Sequence, residues 1–524
     1  MDKKEEFKQL IDKDYTFKGE SFVLGAPKLN GEVVEGSYVR VPLKTLNRHG
    51  LIAGATGTGK TKSLQVIVEA LSDHSVPVVL LDIKGDLSGL AKAGLENRII
   101  QERYATMHLD YHPSAFPVEL MTISNEPGVR LRATVLEFGP VLMAKILGLN
   151  DNQAGLLSVI YKYCDDNYLP LIDLKDFIKV LQYVGDQGKS EIEKDYGKIS
   201  TVSLGTILRK IVELQQQGAD LFFGEPSLDI HDLMRLDEKG HGIINIIRVT
   251  DMQDRPKLFS TFLLQMLAEL YSVSPEEGDL DQPKLVMIID EAHLIFQEAS
   301  GALMRQIETV IKLIRSKGIG IFFCTQNPTD VPPSVLSQLG FKLQHALRAF
   351  TEKDRKSIKS MAENFPASAF YKTDELLTQM GTGEALFTCL NEKGLPTTMA
   401  YTMLASPRSR MDILNDAEIQ DLVTKSRLVA KYNRTIDRES AYEILAGKMG
   451  RHEQMVAEDA RRKEAEKLQR QKAPAQRTAP ARRTSARQEK STLDKIWNSP
   501  VLKQVARTAS STLVRGLMGA LLKK

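Results

Sequence analysis

One octapeptide constrains this chain more than anything else in it. Gly54-Ala-Thr-Gly-Thr-Gly-Lys60-Thr61 fits the spacing G-x-x-x-x-G-K-[ST] at every fixed position. An apolar run, LIAGA, precedes it, and a helical pattern, TKSLQVIVEALSDH, follows. Strand, glycine-rich turn and helix in that order let successive backbone N–H groups point inward, and the helix N-terminus adds the positive end of its dipole. Such a loop cradles phosphates. Gly54, Ala55, Thr56, Gly57, Thr58, Gly59, Lys60, Thr61 and Lys62 are therefore the expected nucleotide contacts. Lys60 would place its charge on the β- and γ-phosphates of ATP, and Thr61 would offer a hydroxyl to Mg²⁺. The bland alternative, a glycine-rich turn with a chance lysine, leaves both flanks unexplained.

The rest of the chain supplies a fold for that loop. VPVVLLDI, GIINIIRV (242–249), KLVMIID (284–290) and GIGIFFCT (318–325) are continuous apolar runs, the pattern of strands buried on both faces. Helical patterns separate them, which predicts an α/β fold with a mostly parallel sheet covered by helices. Residues 1–45 read as a small N-terminal β element, with a hairpin signal at Asn30-Gly31. The main domain spans 46–410 and carries a helical insertion at about 139–222. GEALFTCL and LPTTMAYTML read as a closing pair of strands, and a helical extension follows at 411–450.

Composition bounds the class. With 524 residues, 42% of them hydrophobic, the chain can bury a large core, and wholesale disorder is excluded. Three scattered cysteines, Cys164, Cys324 and Cys389, rule out a disulfide scaffold and suit a reducing cytosol. The N-terminus MDKKEEFKQL lacks an apolar signal region, and no 18-residue apolar run exists, so a cytoplasmic protein is expected. The charge is uneven. Residues 451–524 hold 18 Lys+Arg against 7 Asp+Glu, so the net +3 divides into +11 there and −8 in residues 1–450. Residues 451–492 read as a charged helix and an Ala/Pro/Arg/Thr linker too polar to fold alone. Residues 493–524 regain apolar residues at helical spacing. Such a segment reads as a docking helix for the protein itself or a protein partner, as a helix lying on an anionic membrane, or as a terminal helix packed on its own domain.

Three further features carry chemistry. KLVMIID delivers Asp290-Glu291 to the carboxyl edge of the sheet, where open parallel sheets bind ligands. Asp290 would hold Mg²⁺ and Glu291 would act as general base on water; two solvated acids at a strand end are the plain alternative. The following His293 reads first as a helix residue. GIGIFFCT ends at Gln326, whose amide is placed either to sense the γ-phosphate and the attacking water or simply to cap the strand. Arg315, just before that strand, is planar and always charged. In a ring of subunits it would reach a neighbour's phosphate; otherwise it is a solvated helix-end cation. Asp82 and Asp86 either shape the site or belong to a turn through Lys84-Gly85.

HGLIAGATGTGKT, LLDIKGDLSGL, VMIIDEAHLIF and RSKGIGIFFCTQNPTDVP together resemble the HerA/FtsK group of P-loop ATPases, most of all the bacterial HerA-like, YjgR-type proteins. The resemblance covers about residues 20–410. It implies a RecA-like core that assembles as a hexameric ring, hydrolyses ATP with Mg²⁺ and drives duplex DNA through its channel. It also implies Lys60, Thr61, Asp290, Glu291 and Gln326 as site residues and Arg315 as a finger acting in trans. The short N-terminal segment, the insertion and the basic tail depart from the minimal motor. An ATPase acting on a protein partner or a membrane is the competing reading. A monomeric DEAH-type helicase is disfavoured by the single P-loop and the missing second arginine-rich motor domain. Lys342, Arg348, Lys353, Arg355 and Lys356 cluster after the Gln326 strand and would face a pore or, more simply, solvent.

Overall fold

The computed structural model describes residues 2–252, 255–278, 280–298, 301–349, 351–363 and 365–472. Those up to Glu453 form one compact unit, and those from Gln454 belong to a second. The linker and the final apolar segment predicted for 473–524 lie outside the described residues.

Thirteen strands among the described residues join one sheet. They are β1 (Ser21–Leu29), β2 (Glu32–Val33), β3 (Val39–Pro42), β4 (Gly50–Ala53), β5 (Val78–Asp82), β6 (Val118–Thr122) and β7 (Val129–Arg130). Then follow β8 (Ile244–Arg248), β9 (Leu285–Ile289), β10 (Ile319–Thr325), β11 (Phe341–His345), β12 (Glu384–Thr388) and β13 (Ala400–Leu404). The order β11-β4-β10-β9-β5-β8-β6-β7 is parallel throughout. β12, β13 and β1 continue it as antiparallel strands. The sheet is thus mostly parallel and covered by helices, as the apolar runs predict.

Burial on both faces explains those runs. Ile319, Ile321 and Phe323 of β10 enter one core together with Val79, Leu81, Met287 and Ile289. Phe322 and Cys324 enter the other with Val78, Leu80, Val286 and Ile288. The first core also takes the helices of the insertion, which run from Val135–Ile146 to Thr201–Gln216. The second takes the P-loop helix Lys60–Asp73 and the chain's first residues.

Those first residues correct the reading of 1–45 as a β element. They begin with a helix, Lys3–Asp14, whose Phe7 and Ile11 are fully buried. Tyr15 follows, donating its hydroxyl to the Thr398 carbonyl at 2.7 Å. β1 pairs with β13, so the segment extends the main sheet instead of standing apart. The Asn30-Gly31 hairpin forms, with φ of 51° and 88° as a two-residue turn of the primed type requires.

Candidate nucleotide site

The P-loop, Asp290, Glu291 and Gln326 all lie at the carboxyl edge of the parallel strands. β4 ends at Ala53 and releases the chain into the P-loop. The Gly54 N–H donates to the Thr325 carbonyl at 3.2 Å and the Ala55 N–H to the Ala346 carbonyl at 2.9 Å, so the strands on both sides hold the loop's root. Its far side is held by the Gly383 N–H, which donates to the Thr58 carbonyl at 2.9 Å. Two glycines are required here. A Cβ on Gly54 would sit 2.4 Å from Cβ of His345, and Gly59 combines a φ of +104° with backbone of Gly383 only 3.0 Å from where a Cβ would lie. Gly59 is also the N-cap of the helix Lys60–Asp73, with no side chain bonded to the first turn. The first N–H groups of that helix have no partner within it, which is the arrangement that accepts an anion.

The charged groups converge on the same spot. Lys60 is only 7% exposed; its Nζ makes no hydrogen bond and lies 3.8 Å from Oε1 of Glu291. A buried ammonium without a hydrogen-bond acceptor is costly unless a ligand supplies one. Thr61 donates its hydroxyl to Oδ2 of Asp86 at 3.3 Å. Asp290 is 4% exposed, and its carboxyl is pushed up to about 6: burial dominates, Lys60 and Lys84 pull the other way, and Glu291 and Asp86 push with it. Asp82 rises further, to about 7, through burial and the nearby Asp86, although the Gly85 and Leu87 N–H groups donate to it at 2.7 and 3.2 Å. Buried carboxyls raised in this way cluster at functional sites.

Glu291 behaves differently. It follows β9 with a φ of +47°, a left-handed backbone that a glutamate rarely adopts. Burial pushes its carboxyl up, but Lys84, Lys60 and His293 more than offset that and leave it below the ordinary range. Lys84 ion-pairs directly with Oε1, and Nδ1 of His293 lies 3.1 Å from Oε2.

The residues present fit a phosphate with a divalent ion. Lys60 offers an unsatisfied cation, and Thr61, Asp86 and Asp290 are hard oxygen donors of the kind Mg²⁺ takes.

The helicase HerA-like C-terminal family matches residues 28–524. The chain belongs to that family. The DNA double-strand break repair helicase HerA of Sulfurisphaera tokodaii is 23% identical over 363 residues, covering 68% of this chain and 65% of the relative. The DNA import protein CedB of Sulfolobus acidocaldarius is 24% identical over 355 residues, 67% of this chain and 51% of that protein. The chain therefore spans just under two thirds of the length of the HerA relative. Among solved structures, the bacterial conjugative coupling protein TrwBdeltaN70 shares the fold, with a TM-score of 0.50 at 13% identity over 78% of this chain and 94% of its own.

In this HerA-like chain β10 lies between the P-loop strand β4 and the Asp290 strand β9. Gln326, one residue past its end, is exposed beside the loop root that Thr325 anchors. Thr325 in turn donates its hydroxyl to Oδ2 of Asp330 at 2.6 Å, which fixes the turn that follows Gln326. Arg315 is elsewhere. It is exposed in a 3₁₀ turn at the start of β10, so seven residues of strand, roughly 20 Å, separate it from the phosphate edge. Lys62 also turns away, donating to the Met411 carbonyl. Arg348, Arg355 and Lys356 are exposed and Lys342 is half-buried; Lys356 pairs with Glu352 at 2.8 Å. The side chain of Lys353 lies outside the described residues.

Sequence reasoning missed two groups at the site. His345 ends β11, fully buried against Gly54, and burial holds its imidazole near 4 and hence neutral. No spacing in the sequence points to it. Lys84 was visible only as the middle of Asp-Ile-Lys-Gly-Asp, without a role.

Proposed function

We propose that this protein is an ATP-hydrolysing, ring-forming motor that acts on DNA in the cytoplasm. The observation that carries the reading is the buried Lys60 facing Asp290 and Glu291 across one sheet edge, with β10 inserted between their strands and ending at Gln326. Lys60 would neutralise the β- and γ-phosphates, while the first N–H groups of its helix receive the remaining phosphate oxygens. Thr61 and Asp290 would hold Mg²⁺, which when bound would supply positive charge to the phosphates. Glu291 would take the proton of the attacking water, and Gln326 would orient that water. Arg315 is too far from its own site to help, so it serves the phosphate of the next subunit in a ring, a hexamer by family resemblance.

DNA as substrate draws support from the relatives, whose names are those of a repair helicase and a DNA import protein. The basic segment from Arg451 onward favours an anionic or acidic partner and leaves a docked protein or a membrane surface as the second reading. No helix among the described residues is long and apolar enough to cross a membrane. The deciding experiment measures ATP turnover with and without duplex DNA, beside the protein's mass in ATP. Stimulation together with a hexamer mass supports the motor. DNA-insensitive turnover by a monomer sinks it and favours action on a protein.

A further inference from the structure

Glu291 is held too well for the work assigned to it. Its Oε1 is shared by two ammonium groups, Lys84 in direct contact and Lys60 at 3.8 Å, and its Oε2 faces Nδ1 of His293 at 3.1 Å. A carboxylate oxygen in direct contact with an ammonium is held in place and screened from water by it. The two lysines also repel each other across that oxygen. Lys60 has another destination, because its buried Nζ faces the phosphate cradle and makes no hydrogen bond. A bound nucleotide thus removes Lys60 from Glu291 and leaves Lys84 in place.

Lys84 is built to leave. It stands in the turn after β5, before Gly85 at φ +75°, and its side chain is 35% exposed while that of Glu291 is only 5% exposed. The carboxylates of Asp86 and Asp290 lie near enough to act on its charge, so an outward swing does not strand the ammonium.

We propose that Lys84 is a positioning residue that restrains Glu291, so that hydrolysis waits on its release. The proposal rests on the reading of Glu291 as the general base. The two lysines then play separate parts. Lys60 serves the phosphates, whereas Lys84 sets how often Glu291 is free to meet water.

The test compares Lys84→Met, Lys84→Gln and Lys84→Arg with the wild-type full chain, in steady-state ATP turnover without DNA. Before nucleotide binds, Glu291 keeps Lys60 and His293 beside it in each variant, so the substitutions do not strand its charge in the resting protein. Lys84→Met and Lys84→Gln should raise kcat on the order of tenfold, because one charge-assisted contact is lost, with KM for ATP little changed. Lys84→Arg should restore the slow rate, which a merely structural lysine would not predict. Binding of a fluorescent ADP analogue, unchanged in all three, reports that the site is folded. Glu291→Gln is run alongside. If Glu291→Gln still turns over, the general-base reading fails. If Glu291→Gln is inert and neither Lys84→Met nor Lys84→Gln is faster than wild type, the restraint is overturned while the base survives. A lower kcat with a higher KM in Lys84→Met also overturns it, because Lys84 would then serve the phosphate.

Discussion

The two edges of the parallel sheet treat charge in opposite ways. At the carboxyl edge, Lys60, Asp82, Asp290 and Glu291 are each at most 7% exposed, and the Lys60 ammonium and both Glu291 carboxylate oxygens have no hydrogen-bond partner. At the amino edge, His49 is a buried polar group of another kind. Its Nε2 meets the Ile311 carbonyl at 2.8 Å and its Nδ1 accepts the Ile321 N–H at 3.0 Å, while burial holds it neutral near 4. Arg315, the charged residue beside it, is left at the surface. A satisfied buried group is architecture. A cluster of buried, half-satisfied charges is costly and persists where a ligand completes it. The same contrast predicts what each edge does in a ring: the carboxyl edge receives nucleotide, and the amino edge supplies an arginine to a neighbour.

The strongest way to break the contrast is to alter the carboxyl edge. Glu291→Gln keeps shape but loses the base and should lower ATP turnover by about 10²–10⁴, with nucleotide still bound and accumulating unhydrolysed. Lys60→Ala should lower turnover as strongly and also weaken nucleotide binding, because it removes a phosphate contact. Equal turnover by Glu291→Gln and wild type would remove Glu291 from the reaction.

The amino edge comes next. Arg315→Ala should be nearly inactive alone, since a finger supplied in trans is worth on the order of 10³ in turnover. Mixed with Glu291→Gln subunits, it should recover part of the activity, because some interfaces then pair an intact Arg315 with an intact Glu291. A mixture as inert as its parents, with subunit exchange demonstrated, makes Arg315 a surface cation and the amino edge passive.

How much of this was legible beforehand depends on the kind of information involved. The P-loop and the Asp290-Glu291 pair are local. Their backbone geometry and position after a buried strand are encoded within a dozen residues, and the structure brings the two together. β11 was not legible, because Phe341-Lys-Leu-Gln-His345 mixes polar and apolar residues; its Gln344 and His345 are buried for reasons set by the loop above them. The two-residue β7 carries too little pattern to read, and Val-Glu-Leu-Met-Thr in β6 mixes polar with apolar residues. The helix Lys3–Asp14 was hidden by its lysines and acids, though Phe7 and Ile11 stand at the i, i+4 spacing that marks a buried stripe. The contact of Lys84 with Glu291 joins the ends of neighbouring strands whose sequences lie far apart, and no spacing rule reaches that distance.

A smaller effect sharpens the carboxyl edge through pH. Asp82, near 7, and Asp290, near 6, hold a proton more tightly folded than unfolded. Between about pH 4 and 7 the unfolded chain therefore binds fewer protons at these two sites, and their contribution to stability falls as pH rises. Asp82→Asn keeps one acceptor for the turn and removes the larger of the two shifts. Thermal unfolding of the nucleotide-free protein should show the variant gaining on wild type by several degrees as pH is raised from about 5 to 8. Parallel Tm curves for the two proteins across that range would contradict the raised carboxyl.

The smallest expected effect concerns a region outside both edges. The helix Ala441–Lys472 begins buried, at Ala441 and Leu445, and is exposed from Arg451 through Lys467. Its exposed part opens the segment that holds 18 Lys+Arg against 7 Asp+Glu. Truncation after Gly450 removes no residue of the nucleotide site and keeps the buried turns of this helix, so turnover without DNA should change by less than about twofold, within the range expected of surface changes away from such features. Association with the partner should change instead. If these cations meet phosphate, duplex DNA binding weakens on truncation, and the slope of affinity against salt becomes shallower in proportion to the contacts removed. An equal salt slope before and after truncation, with anionic vesicles bound less, would assign the segment to a membrane surface. Loss of nucleotide hydrolysis itself would place residues beyond 450 inside the working core and erase the distinction between the motor edge and its basic extension.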